Sequence, residues 1–205
     1  MSSKAVDEAV AAIRAGKPVV LPFDTVYGLA ADPYHDAPAR RLYRLKGREA
    51  AQPTALVATS VDDLLECVPE LRGRAALMLR ALLPGPLTLV VPNPAQRFRW
   101  ITGTNPETIG VRVPELEGPG GDVLDHVGAV IATSANHPGE PDPQRVDDVP
   151  ADIRAGAGAV VDAGELPGTP STVIDLTARE PRVLREGALP AADALRRLDA
   201  AVRSS

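Results

Sequence analysis

The sequence predicts an α/β fold, a mixed β-sheet covered by helices, on three observations. Short apolar runs of strand length recur along the chain, segments with helical apolar spacing fall between them, and several neighbouring runs lie close enough to pair as hairpins. The hairpin-length connections point to a mixed sheet rather than a purely doubly wound one.

The elements follow in order. Val6, Ala9, Val10 and Ile13 repeat at helical spacing before Gly16, which predicts a short amphipathic opening helix. Pro18 to Leu21 reads as a buried strand, followed by a glycine-containing loop. Asp36 is expected to cap a helix carrying Leu42 and Leu45 and ending near Gly47. Thr54 to Val57 is the next strand. Ser60 with Asp63 starts another helix, which the Leu-rich stretch from Glu70 to Leu83 extends until Pro84-Gly85-Pro86. Further strands are predicted at Leu87 to Val91, Ile109 to Val113, Ala129 to Ala132, Ala159 to Val161, Thr172 to Leu176 and Val183 to Arg185, and a last helix at Leu195, Leu198 and Val202.

The 205 residues are read as one domain, 1–205, with no internal repeat or low-complexity linker. Hydrophobic residues at 44% and charged residues at 24% are ordinary for a globular protein, while aromatics at 3% beside 17 Gly and 21 Pro require an aliphatic core and tight turns. A net charge of -5 argues against a protein that coats nucleic acid through a broad basic surface, leaving room for a locally basic cavity. Cys67 is the single cysteine and the three histidines are scattered, so neither a disulfide nor a structural zinc site is expected. The chain lacks a signal-peptide layout and any run of about 18 apolar residues, and a cytoplasmic location is the default expectation.

Polar residues concentrate in four segments at apolar runs, where loops usually carry function. Pro22-Phe23-Asp24-Thr25-Val26-Tyr27-Gly28-Leu29 ends a run with a carboxylate and a hydroxyl; an ordinary turn would use Asp24 on its own backbone. Lys46-Gly47-Arg48-Glu49 places two cations at a helix end, able to clasp an anion or simply to complement the helix dipole. In Thr108 to Val113, alternation puts Thr108, Gly110 and Arg112 opposite Ile109, Val111 and Val113, on a face that is either functional or solvated. Ile131 to Asn136 delivers hydroxyl and amide groups from a buried strand, and a capped turn explains it equally well.

Together, the ordered set Pro-x-Asp-Thr-Val-Tyr-Gly-Leu, Lys-x-Arg, Pro-Gly-Pro-Leu-Thr, Val-Arg-Val-Pro, Ser-x-Asn and Ser-Thr-Val-x-Asp resembles the YrdC family of threonylcarbamoyl-AMP synthases, from about Gly16 to Gly187. The resemblance is to the single-domain form. It implies a twisted mixed sheet with surrounding helices around a concave, basic cavity for ATP and threonine. It also implies an L-threonylcarbamoyladenylate synthase that makes threonylcarbamoyl-AMP and pyrophosphate from L-threonine, bicarbonate and ATP for tRNA modification. Mg2+ is expected with the ATP, without an organic cofactor or a protein metal site, and with possible contact to tRNA or to the downstream threonylcarbamoyl transferase. The alternatives are a YrdC-fold RNA-binding protein without synthase activity and a related carbamoyl-adenylate enzyme.

By position, the resemblance makes Lys46, Arg48, Ser134 and Asn136 the catalytic group. It puts Arg48, Gln52, Thr108, Ser134, Asp142 and Arg185 at ATP, and Thr25, Arg112, Ala132 and Ser171 at threonine. Cations suit this chemistry better than a nucleophile, because a carbamate and a triphosphate must meet. The chain departs from the family pattern at Phe23 (usually Thr), Glu49 (commonly Pro), Gln52 (often Lys or Asn) and across His137 to Asp142, changes that gather at the expected phosphate end. Asp142 stands where a serine is usual and is expected either to coordinate the Mg2+ that accompanies ATP or, as the blander choice, to turn outward and cap the turn formed with Pro141 and Pro143.

Overall fold

A computed structural model describes residues 4–49 and 51–203. Its helices are α1 (Lys4–Arg14), α2 (Asp36–Lys46), α3 (Val61–Cys67), α4 (Arg74–Leu82), α5 (Pro119–Val127), α6 (Ala151–Gly156) and α7 (Ala191–Arg203). Its strands are β1 (Val19–Pro22), β2 (Tyr27–Ala31), β3 (Ala55–Ala58), β4 (Leu87–Pro92), β5 (Thr108–Arg112), β6 (Ala129–Ser134), β7 (Thr172–Asp175) and β8 (Arg182–Arg185). The strands form one sheet in the order β1-β2-β6-β3-β5-β4-β7-β8. Pairing is antiparallel except for β3 with β5 and β4 with β7, so the sheet is mixed as expected.

Side-chain alternation along these strands divides the interior into two cores. Leu29, Leu56, Leu89, Val111 and Ile131 point to the larger one, which also takes Leu42, Leu64, Leu79 and Leu198 from α2, α3, α4 and α7. On the opposite face, Val19, Leu21, Ala30, Val57 and Val130 meet Val6, Val10 and Ile13 of α1 and Val123 and Leu124 of α5. These two helices pack on each other and cover that face only over its β1 end. Next along the same face come Gly28, Ala55, Thr88, Gly110, Arg112 and Val173, which line cavities, and Ala132, which lines a cavity while still packing against this second core.

Several expectations need correction. The motif after β1 is not one long loop: Tyr27–Ala31 is a fully buried strand, and the turn before it is only a few residues long. Ala159–Val161 makes a single bridge, Val160 beside Val20, with hydrogen bonds of 3.0 and 2.9 Å to the backbone of Val20. His35 rather than Asp36 is the cap residue of α2, and Asp36 instead pairs with Arg40 one turn on. The Leu-rich stretch is a separate helix, because Pro69 and Gly73, the latter at φ 55°, interrupt the run between α3 and α4. The helices α5 and α6 went unread; Gly120 and Gly121 hide the first, and a Cβ on Gly120 would lie 2.2 Å from the carbonyl oxygen of Pro22. Among the described residues no helix is long and apolar enough to cross a membrane.

Candidate active site

The uncovered sheet face carries a cavity of about 190 Å³ lined by the guanidinium-bearing Arg48, Arg112 and Arg185, the hydroxyls of Thr88, Thr133, Ser134 and Ser171, and Asp142. A more apolar cavity of about 310 Å³ adjoins it, sharing Pro53, Thr54, Ala55, Thr88 and Val173 and adding Val90, Thr104, Asn105, Thr108 and Leu184.

Each arginine is aimed by a specific part of the fold. Arg112 projects from β5 by the alternation that sends Val111 into the larger core. Its guanidinium pairs with Asp24 and donates to Thr25 Oγ1 at 2.8 Å, while its Cζ sits 5.7 Å from the centre of the Phe23 ring. The tight β1–β2 turn therefore supplies a carboxylate, a hydroxyl and an aromatic face to one cation. The carboxylate of Asp24 also accepts from the backbone N–H of Glu115 at 3.3 Å. Gly28 makes room for the ring, since a Cβ there would fall 2.5 Å from Phe23. Burial pushes the pKa of Arg112 down, Asp24 pulls it back up, and nearby Arg185 opposes it again.

Arg48 leaves α2 just after Gly47, whose left-handed φ of 67° ends the helix. It donates to Thr133 Oγ1 at 2.9 Å and to the carbonyl of Pro53 at 2.7 Å. Arg185 ends the edge strand β8 and holds the carbonyl of Ser171 from Nε and Nη2, at 3.1 and 2.7 Å. The hydroxyl of Ser171 lies 2.8 Å from that of Thr88. Nε of Arg48 and Nε of Arg112 are buried without a hydrogen-bond partner among the described residues. A buried donor of this kind is costly unless an acceptor meets it.

Lys46 and Asn136 stand behind the cavity wall. The Lys46 ammonium donates to the carbonyls of Ser134 and Asn136 and to Asn136 Oδ1, at 2.5, 2.8 and 2.9 Å. Ser134 Oγ donates to the same Oδ1 at 2.7 Å, and Asn136 Nδ2 donates to the carbonyl of Glu140 at 2.6 Å. Burial, and then Arg48, draw the Lys46 pKa down to about 8 against the opposing pull of Asp142 and Glu140.

Thr25, Arg48, Arg112, Ala132, Ser134, Asp142, Ser171 and Arg185 thus line one cavity. Thr108 lies in the adjoining one, and Gln52 is exposed on the turn after α2, outside both linings. Asp142 faces the cavity instead of turning outward. Sequence reading gave no role to Asp24, Thr88, Thr133 or Phe23. The quoted motifs contained Asp24 and Thr88, but only the pairing of β4 with β7 sets Thr88 beside Ser171. Among the described residues, no group of three or more His, Cys, Asp or Glu side chains is placed to hold a metal ion.

A family model for Sua5, YciO and YrdC proteins, described as telomere recombination, matches residues 11–187. The threonylcarbamoyl-AMP synthase of Pyrococcus abyssi is 36% identical over 87% of this chain and 52% of its own length, so the chain spans about half of that relative. The threonylcarbamoyl-AMP synthase of Stenotrophomonas maltophilia is 33% identical over 71% of this chain and 78% of its own. The crystal structure of P. abyssi Sua5 complexed with L-threonine superposes with a TM-score of 0.85 at 34% identity, covering 94% of this chain and 56% of that one. With the match running from the end of α1 past β8, the chain belongs to the Sua5/YciO/YrdC family.

Proposed function

We propose that this protein is an L-threonylcarbamoyladenylate synthase, converting L-threonine, bicarbonate and ATP into threonylcarbamoyl-AMP and pyrophosphate for tRNA modification in the cytoplasm. The observation that carries the reading is the convergence of Arg48, Arg112 and Arg185 on one cavity beside six hydroxyl side chains. Three cations facing one carboxylate lining residue favour anionic ligands, and the two buried Nε donors are left for an acceptor to satisfy. The relatives' names and the threonine-bound neighbour agree with it.

In this reading Arg112 takes the threonine carboxylate, held in place by Asp24 and Thr25. Ala132, Val26 and Val57 give apolar wall for the threonine methyl group. The adjoining cavity, with Val90, Thr108, Val173 and Leu184, suits the adenosine, whose flat base prefers apolar surface with a few polar groups at its edge. Arg48, Ser134 and Arg185 then face the triphosphate. The threonine nitrogen attacks the bicarbonate carbon, water leaves, and a carbamate results. A carbamate oxygen attacks the α-phosphorus as the bond to pyrophosphate breaks. The fixed guanidiniums offset the charge of two anions brought together, and their anchors spare reorganisation during the step.

The donor set fits Mg2+ carried mainly by the triphosphate, with Asp142 as the carboxylate that would face it. When bound, the ion would neutralise phosphate charge. Incubation with ATP, Mg2+, bicarbonate and L-threonine should release pyrophosphate and the labile adenylate together. Threonine-independent pyrophosphate release, or neither product, overturns the reading. RNA binding without either product is what the alternative non-catalytic reading requires.

A further inference from the structure

Half of the chain's six aromatic residues meet at a second site, on the side of the sheet that carries the larger core. Tyr34, Phe98 and Trp100 line a cavity of about 580 Å³ together with Asp63, Glu66 and Cys67 of α3 and with Arg97. The ring centres of Tyr34 and Phe98 are 6.2 Å apart, and Phe98 meets Trp100 edge-on at the same separation. Core packing accounts for the inner parts of Phe98 and Trp100, which touch the larger core, but not for Tyr34, which stays 51% exposed.

The cavity wall is held rigidly. Trp100 Nε1 donates to the carbonyl of Pro33 at 3.0 Å, tying the two aromatic segments together. The buried Asn93 side chain bonds the carbonyls of Arg97 and Pro106 and the N–H of Arg97, at 2.9, 2.9 and 3.0 Å. That clasp keeps Gln96 and Phe98 at left-handed φ values of 51° and 50°, a conformation side chains other than glycine adopt at a cost. Arg97 is spent on Glu70, which accepts two hydrogen bonds of 2.8 Å, so it adds little net positive charge. Nearby Asp32 is likewise engaged with His35. The remaining charge on the lining is that of Asp63 and Glu66.

We propose that this cavity binds a small alkylammonium cation, its methylene or methyl groups against the three rings and its charge toward Asp63 and Glu66. Ring faces attract cations by their quadrupole, and the two carboxylates add to that attraction while repelling phosphate. This site is independent of the Arg-lined cavity and of the activity proposed for it.

Trp100 is the only tryptophan, so its fluorescence reports this cavity directly. Titration with spermidine should give a saturable change in emission below about 10 mM, the affinity range of a few weak cation contacts. NaCl and MgCl2 at matched ionic strength should not reproduce it. Glu66 and Tyr34 are both exposed, so Glu66→Gln and Tyr34→Ala should fold normally and each weaken the response by roughly two- to tenfold. A non-saturable response, an equal response to the inorganic salts, or unchanged affinity in both variants would overturn the proposal.

Discussion

Lys46 Nζ holds Asn136 twice, through the backbone carbonyl at 2.8 Å and the side-chain oxygen at 2.9 Å, and so ties the end of α2 to the turn that presents Ser134. With the Ser134 carbonyl as a third acceptor, all three ammonium donors are spent inside the protein. We expect Lys46→Ala to leave buried acceptors unpaired, lowering stability by about 1–3 kcal/mol. The loss of melting temperature should be about 2–4 °C per kcal/mol for a chain of this size. Activity should fall with it, because Ser134 loses its support. Reduced activity at an unchanged melting temperature would mean that Lys46 acts on ligand directly and not through the turn.

His137 is set between two groups that can only accept. Its Nδ1 is 3.1 Å from the carbonyl of Lys46 and its Nε2 is 3.0 Å from a carboxylate oxygen of Asp152, so both bonds coexist only in the imidazolium. The Lys46 carbonyl first, then Asp152, with Glu140 nearby, raise its pKa above the ordinary 6.5. A raised folded-state pKa means stability that is full below 6.5 and is lost as pH climbs through the higher folded value. The melting temperature of His137→Ala should therefore fall furthest below that of the native chain at pH values under 6.5, and the gap should narrow as the pH rises above it. A gap independent of pH would show that His137 packs without titrating.

How much of this site could be read from sequence depended on the range of each interaction. The face that carries Arg112 was legible from strand alternation, whereas Thr25 and Ala132 were singled out only through the family resemblance; all three line the cavity. The position of Lys46 was not legible, since its acceptors lie 88 and 90 residues away and a cation at a helix end looks the same whether it faces solvent, ligand or backbone. The strand Tyr27–Ala31 was missed for a related reason. Its short turn carries the polar residues that mimic a loop, and only pairing with β6 on its far side makes it an interior strand. The β-bridge at Val160 erred the other way: its residues have strand character, but the segment contributes one bridging residue rather than a ladder.

The pocket proposed for threonine should discriminate by a methyl group. Phe23, Val26, Val57 and Ala132 provide apolar lining beside Arg112. We expect L-threonine to be preferred over L-serine by roughly 10- to 200-fold in kcat/KM, the range for one methyl group in a fitted pocket. Ala132→Val should erase much of that preference by filling the space the methyl group needs, with little change in stability at this partly exposed position. Equal rates with the two amino acids in the native protein would move the amino-acid site elsewhere.

Asp142 faces the same cavity as Arg48 and Arg185 and is close enough to Lys46 to raise the pKa of that ammonium. Beside a triphosphate at about 5 Å, a carboxylate in an effective dielectric near ~20 would repel each unit charge by roughly 3 kcal/mol, enough to abolish useful binding. In the proposed function a cation between the two would relieve that repulsion, and Mg2+ typically uses one or two carboxylates together with substrate phosphates. We expect Asp142→Ser to bind ATP more tightly than the native protein when Mg2+ is withheld, because the repulsion is gone. In the presence of Mg2+ the order should reverse: the variant should need several-fold more of the ion to reach half-maximal pyrophosphate release. Calorimetric titration of ATP with and without the ion, combined with a Mg2+ titration of activity, reads both arms. Identical Mg2+ dependence in the two proteins, with ATP affinity improved under both conditions, would leave Asp142 as a repulsive residue with no role in holding the ion.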